Sequence, residues 1–132
     1  MNTENQAALY GLRAIFFSEY GINGTKLALK FSSKAIEINP KESLWHFLKG
    51  KLLGRIRRVE SPFDVPQNEE IELLNKALEV KDGCPAYLVF TAQLYREMAN
   101  RMYRTLKTNK SLYANQQIMI DELNEKAVDL YK

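Results

Sequence analysis

One short pattern occurs three times in this chain. Lys34-Ala35-Ile36-Glu37-Ile38 returns as Lys76-Ala77-Leu78-Glu79-Val80 and again as Lys126-Ala127-Val128-Asp129-Leu130. Each copy runs basic, Ala, apolar, acidic, apolar, and each falls near the close of a pair of helical segments. A single helical unit cannot bury its apolar face alone, so repetition of such a unit predicts stacked helical hairpins. The small Ala allows close approach of neighbouring helices. The flanking Lys and acid stand three apart and pair on the solvent side, at only a few tenths of a kcal/mol. The same pattern also arises in any amphipathic helix, so the segments around it carry the argument.

Those segments read as six helices. Thr3-Glu4-Asn5-Gln6 has the form of a capping box and opens a helix running to about Tyr20. Gly21 and Gly24 bracket a turn, and Thr25 caps a second helix with the stripe Ala28, Phe31, Ala35 and Ile38. Asn39-Pro40 stops it, because the residue before Pro is pushed out of the helical region. A third helix covers Glu42 to Val59, with Trp45, Leu48, Leu52, Ile56 and Val59 on one face. The segment from Glu60 to Gln67 carries Pro62 and Pro66 and reads as a loop. Asn68 caps a fourth helix, whose first turn holds Glu69 and Glu70. Asp82-Gly83 ends it, and Pro85 suits the first position of a fifth helix that runs to Lys107. Thr108-Asn109-Lys110 is a turn. Ser111 caps a sixth helix with the stripe Tyr113, Ile120, Leu123, Ala127 and Leu130. Pairing in order gives three hairpins, about 1–40, 41–82 and 83–132, in one domain.

Several function classes drop out early. At 132 residues, 45% apolar and 27% charged, the chain fits one ordinary globular domain. Cys84 is the single cysteine and His46 the single histidine, so neither an intrachain disulfide nor a Cys/His zinc site can form. No apolar run approaches the roughly 18 residues of a membrane span. The first residues lack the basic start and apolar core of a signal peptide. An intracellular, reducing compartment fits, cytoplasm or nucleus. The net charge of +3 is mild for an obligate nucleic-acid binder, so local clustering matters more. No phosphate-cradling Gly loop, paired-acid arrangement or Ser/His/Asp set is visible, so neither an enzyme nor a cofactor is expected. Cys84 precedes Pro85 in a turn with no activating base in sequence.

The chain resembles the tetratricopeptide repeat family. That family places Trp-x2-Leu-Gly-x2-Tyr on the first helix of each repeat, then Ala, Phe, Ala and Pro on and after the second, with a period of 34 residues. The first hairpin supplies Ala28, Ala35 and Pro40 at matching spacing, with Ser32 in place of Phe. Leu12 and Ile15 take its first-helix apolar positions. The second supplies Trp45 and Leu48, but Lys49 stands where Gly is usual, and Leu74, Ala77 and Asp82 follow. The third offers Tyr87, Phe90, Leu94 and Ala127. The spacing departs: Lys34 to Lys76 is 42 residues and Lys76 to Lys126 is 50. The first excess fits the Pro-bearing loop, and the second fits two lengthened helices. A narrower similarity, over Trp45 to Arg58, is to the interferon-induced tetratricopeptide proteins, some of which bind RNA ends in a basic tunnel.

The resemblance implies an all-α fold: three antiparallel hairpins stacked as a short solenoid, whose first helices line a concave groove. The groove would take a protein or peptide partner. Register carried across residue by residue gives Tyr10, Arg13, Phe17, His46, Arg57, Tyr95 and Arg96 as groove positions, the aromatic and Arg side chains being favoured interface anchors. The other reading of these residues is ordinary packing. The family's clamp for a C-terminal carboxylate wants Lys and Asn four apart on helix one, and no such pair occurs there. A separate candidate is the basic stripe Lys51, Arg55 and Arg58, within about 60° on a helical wheel. It suits RNA or another polyanion, or simply a solvated helix end favoured by the helix dipole. Arg101, Arg104 and Lys107 form a lesser cluster. Arrays of this kind usually need a polar capping helix. Here the chain stops straight after the third motif, so the last hairpin is expected to expose an apolar face, through self-association or as part of a longer protein.

Overall fold

The computed structural model describes residues 2–107 and 113–131, with side chains for 2–104 and 120–130. The described residues form six α-helices: α1 (Thr3–Phe17), α2 (Gly21–Ile38), α3 (Ser43–Glu60), α4 (Asn68–Val80), α5 (Pro85–Lys107) and α6 (Tyr113–Tyr131). No strand occurs among them. No helix is long and apolar enough to cross a membrane. The expected turn at Thr108-Asn109-Lys110, the Ser111 cap and the side chains of Lys107 and Tyr113 lie outside what is described.

The ends of the helices correct the sequence reading by small shifts with clear causes. Asn2, not Thr3, caps α1: its Oδ1 accepts the Asn5 N–H at 2.8 Å. Helix α1 stops at Phe17, and Gly21, at φ +71°, already begins α2. Thr25 therefore sits one turn inside α2, where its hydroxyl donates to the Gly21 carbonyl at 2.7 Å instead of capping. Gln67, not Asn68, closes the capping box of α4, and its own N–H donates to Glu70 Oε2 at 2.8 Å. Loop 61–67, α3 and α5 fall within a residue of expectation.

The core is built from small residues at one-face spacing. Ala7 and Ala14, Ala28 and Ala35, and Ala92 and Ala99 are seven apart within their helices and all fully buried. The repeated motif behaves as its chemistry suggests. Ala35, Ala77 and Ala127 are buried, while Lys34–Glu37 (3.6 Å) and Lys76–Glu79 (3.5 Å) pair in solvent. Trp45 fills the space those alanines leave, packing with Ala7 and Ala35 and lying against Gly11. A Cβ at Gly11 would fall inside the indole, so α1 can approach α3 only through a glycine.

Each helix packs on the next in sequence. Side chains also join alternate helices, and they fix direction. Near their starts, α1 and α3 meet at Ala7 and Trp45; near their ends, Arg55 Nη1 donates to the Ser18 carbonyl at 3.0 Å. Likewise Ser43 Oγ and Tyr87 Oη lie 3.1 Å apart at the starts of α3 and α5, and Arg58 meets Glu97 towards the far end. Helices α1, α3 and α5 thus point the same way. Helix α2 runs against them, since early Lys26 pairs with Glu60 at the end of α3, and α4 does so through Glu70 and Arg57.

One surface expectation changes. Val59, placed on the apolar face of α3, is 60% exposed, because it lies in the last turn of the helix and lines an open cleft. Of the described residues of α6, those facing out are mostly polar (Asp121, Glu122, Asn124, Glu125, Asp129), with Val128 the large apolar exception. On α5 of the same hairpin Val89, Phe90 and Tyr103 are exposed, and α1 exposes Leu9, Leu12, Ile15 and Phe16.

Candidate functional site

Helix α3 is packed by α2 and α4 and touched by side chains of α1 and α5, and its basic residues divide accordingly. Arg57 points inward. Its Nε and Nη2 donate to Glu70 Oε2 and Oε1 at 2.9 and 3.1 Å, a bidentate pair, and its Nη1 donates to Glu97 Oε1 at 2.9 Å. The Arg57 and Glu70 side chains are 4% and 1% exposed. Arg58, at the surface, holds the same Glu97 carboxylate with Nη2 at 2.8 Å. Burial pushes the Glu97 carboxyl upward. Hydrogen bonds and charge from Arg58 and Arg57 outweigh it and hold the group below the usual carboxylate range. For Arg57, burial lowers the pKa, but Glu70 and Glu97 more than offset it and the guanidinium stays firmly charged. This network ties α3, α4 and α5 together.

Lys49 pairs with Glu69 at 3.4 Å, and the remaining cations of α3 open onto a cleft of about 390 Å³ between α3, α4 and α5. Gly50 and Gly54 form its floor, and the exposed Val59 and Phe90, with the buried Leu74 and Leu94, give it an apolar wall. The floor has little slack: a Cβ on residue 54 would lie 3.0 Å from Glu70 Oε1. Lys51, Arg55 and Arg58 line the cleft. Lys51 Nζ lies 4.8 Å from the centre of the Phe90 ring and 5.4 Å from that of Phe47, a cation–π seat that holds the ammonium at the wall. A second, more open cleft of about 410 Å³ follows along α5, lined by Arg96, Asn100, Arg101 and Arg104. Gln93 lines both.

The two sets of sequence-derived candidates fare differently. Lys51, Arg55 and Arg58 come together in one cleft. The groove set does not. His46 is buried, and its Nε2–H donates to the Pro40 carbonyl at 2.7 Å, which pins the turn between α2 and α3. Arg57 is buried in its carboxylate pair. Both were expected to face a ligand, and both instead bond within the fold, His46 at 5% and Arg57 at 6% exposure. Phe17 is half-buried and stacks on Phe31 at 5.6 Å. Tyr10 is half-buried beside the same ring, with the exposed Arg13 guanidinium 5.4 Å from the Tyr10 ring. Tyr95 reaches Asn75 with its hydroxyl at 3.3 Å and lies under Lys126. Arg96 is exposed and lines the second cleft.

Glu70, Glu97 and Gln93 were missed as site residues. Glu70 carried only a helix-start signal in the sequence. Nothing local marks Glu97 as the partner of an Arg forty residues away. Among the described residues, no three His, Cys, Asp or Glu side chains gather as a metal site would need. Comparison with known proteins brings no match to this chain, whether to a protein-family model, a curated protein or a solved structure.

Proposed function

We propose that the chain is a tetratricopeptide-like interaction scaffold. In this reading α1–α2, α3–α4 and α5–α6 are three antiparallel hairpins stacked as a short solenoid, and the first helices present a peptide or partner domain with its binding face. The observation that carries the reading is the row of α1, α3 and α5, side by side and pointing the same way, with a cleft open between α3 and α5. That cleft, rather than the positions of Tyr10, Phe17 and His46, is the ligand contact. Its Lys and Arg side chains sit beside an apolar wall, the mixture that fixes a short peptide by anchor and charge. The molecule binds and performs no chemistry of its own.

Selection of peptides from a random display library tests this. Binders should be recovered against the native chain, and most should be lost against Lys51→Gln/Arg55→Gln/Arg58→Gln. Recovery of no binder, or of binders indifferent to the triple variant, would reject the cleft as the site.

One observation favours a second reading, RNA or polyanion binding, namely the convergence of Lys51, Arg55 and Arg58 in a single cleft. A labelled short RNA should then shift at low salt and lose that shift as salt rises.

A further inference from the structure

The two clefts form one track with two characters. Gln93 belongs to both, and Glu97 stands where they meet. Six basic side chains line the pair against two acidic ones, an excess of four, in a chain whose whole net charge is +3. The two acids are already committed, Glu70 to Arg57 and Glu97 to Arg57 and Arg58. The positive field of the molecule is therefore concentrated here, between low-dielectric walls that focus it. The first cleft has an apolar wall with cations around it. The second is polar and basic. At about 390 Å³ the first cleft stands near the lower end of the roughly 300–1,000 Å³ of ligand pockets, enough for one or two apolar side chains.

The geometry points to a specific ligand chemistry: an acidic peptide segment with a central apolar residue, its apolar side chain against Val59 and Phe90, the exposed apolar residues of the lining, its carboxylates along Lys51, Arg55, Arg58, Arg96 and Arg104. This deepens the scaffold reading and rests on it. A polynucleotide fits the same track less well, for two reasons. Single-strand binders offer a succession of open aromatic faces for base stacking, whereas the two clefts are lined by one aromatic residue, Phe90, whose ring is shared with Lys51 Nζ at 4.8 Å and set edge-on to Phe47 at 5.2 Å. Glu97 also places a carboxylate at the middle of the track, where a continuous run of phosphates would have to cross it. A peptide can place an uncharged residue there.

Fluorescence anisotropy with defined probes decides the matter. The first probe is a short fluorescein-labelled peptide rich in Asp and Glu around a Leu-Phe pair. The second replaces Leu-Phe by Ser-Ser. The third is Lys-rich around Leu-Phe, and the fourth is a short oligouridine. The first should bind, about tenfold more weakly at physiological than at low ionic strength. The Ser-Ser probe should bind at least about fivefold more weakly than the first, from lost apolar burial. Lys51→Gln/Arg55→Gln/Arg58→Gln should weaken the first probe about tenfold, and Arg96→Gln/Arg104→Gln about threefold. Lys30→Gln, on exposed α2 surface, should leave it unchanged. If the triple variant loses helix content, Lys51→Gln alone gives the reading, at about threefold. No binding of the first probe overturns the inference. So does equal or tighter binding of the Lys-rich probe, or oligouridine binding that the same variants abolish. Library peptides that require the cleft but carry no acidic residues would sink this inference alone and leave the scaffold reading standing. An empty library would sink both.

Discussion

Truncating Arg57 to Ala should be among the most destabilising single changes available in this chain. The substitution removes three charge-assisted hydrogen bonds, at 2.9, 3.1 and 2.9 Å, to two carboxylates. It leaves Glu70, 1% exposed, as a buried charge whose remaining support includes the Gln67 N–H at 2.8 Å. Removing one member of a buried pair costs about 3–5 kcal/mol, mostly through the orphaned charge and not through the pair's net worth. Domains of this size are stable by only about 5–15 kcal/mol, so roughly a fifth or more of the total is lost. With a urea slope near 2 kcal/mol per molar, the midpoint falls by roughly 2 M. Helix ellipticity against urea reads this directly. The same logic predicts rescue: Arg57→Met with Glu70→Leu removes both charges and should recover all but about 1–2 kcal/mol, Glu97 keeping Arg58. An Arg57→Ala loss under about 1 kcal/mol, or a double variant weaker than the single, would refute the claim that this pair is dry.

Further expectations follow from other contacts. The Glu97 carboxyl is held below its ordinary value of 4.5, so its contribution is present above that pH and lost as pH falls through the lower folded value. Acid titration of native protein should accordingly show stability declining below about pH 4.5, and Glu97→Gln should flatten that decline. Gly11→Ala gains about 1 kcal/mol of helix propensity but sets a Cβ 2.6 Å from Trp45 Cε3, and should be net destabilising by about 1–2 kcal/mol. Trp45 is the only Trp, so its emission should shift with the repacking. His46→Ala removes the bond to the Pro40 carbonyl and should cost about 1–2 kcal/mol in chemical denaturation. Leu12→Glu with Phe16→Glu alters exposed α1 surface and should leave stability within about 0.5 kcal/mol per site. Sedimentation at high concentration should show less self-association for that pair than for the native chain.

What could be read in advance follows from how local each determinant is. The six helices rest on periodicity and on Pro and Gly breaks, all of which act within a few residues, and they were legible. So was the burial of Ala35, Ala77 and Ala127, because a small residue flanked by charged ones has one sensible place, against a neighbour. Caps slipped by a residue at Asn2 and Gln67, where adjacent polar side chains compete for the same N–H groups. Thr25 misled because a hydroxyl can cap a helix or bond back into one. The site failed at longer range. Arg57 and Arg58 are sequence neighbours with the same charge, and only the packing of α4 and α5 against α3 decides which is buried. Glu97 joins the site from forty residues away. Lys51, Arg55 and Arg58 line one cleft because they share one helix face, which local geometry does determine.

The account stands most directly on where a ligand touches the chain. Backbone amide shifts measured by NMR, during titration with a peptide selected from the library, give that footprint. The account predicts that the largest changes fall on Gly50, Lys51, Gly54, Phe90 and Gln93, with α1 and α2 little affected. Changes centred on Leu12 and Phe16, or on Tyr10 and Phe17, with the α3–α5 cleft silent, would contradict it.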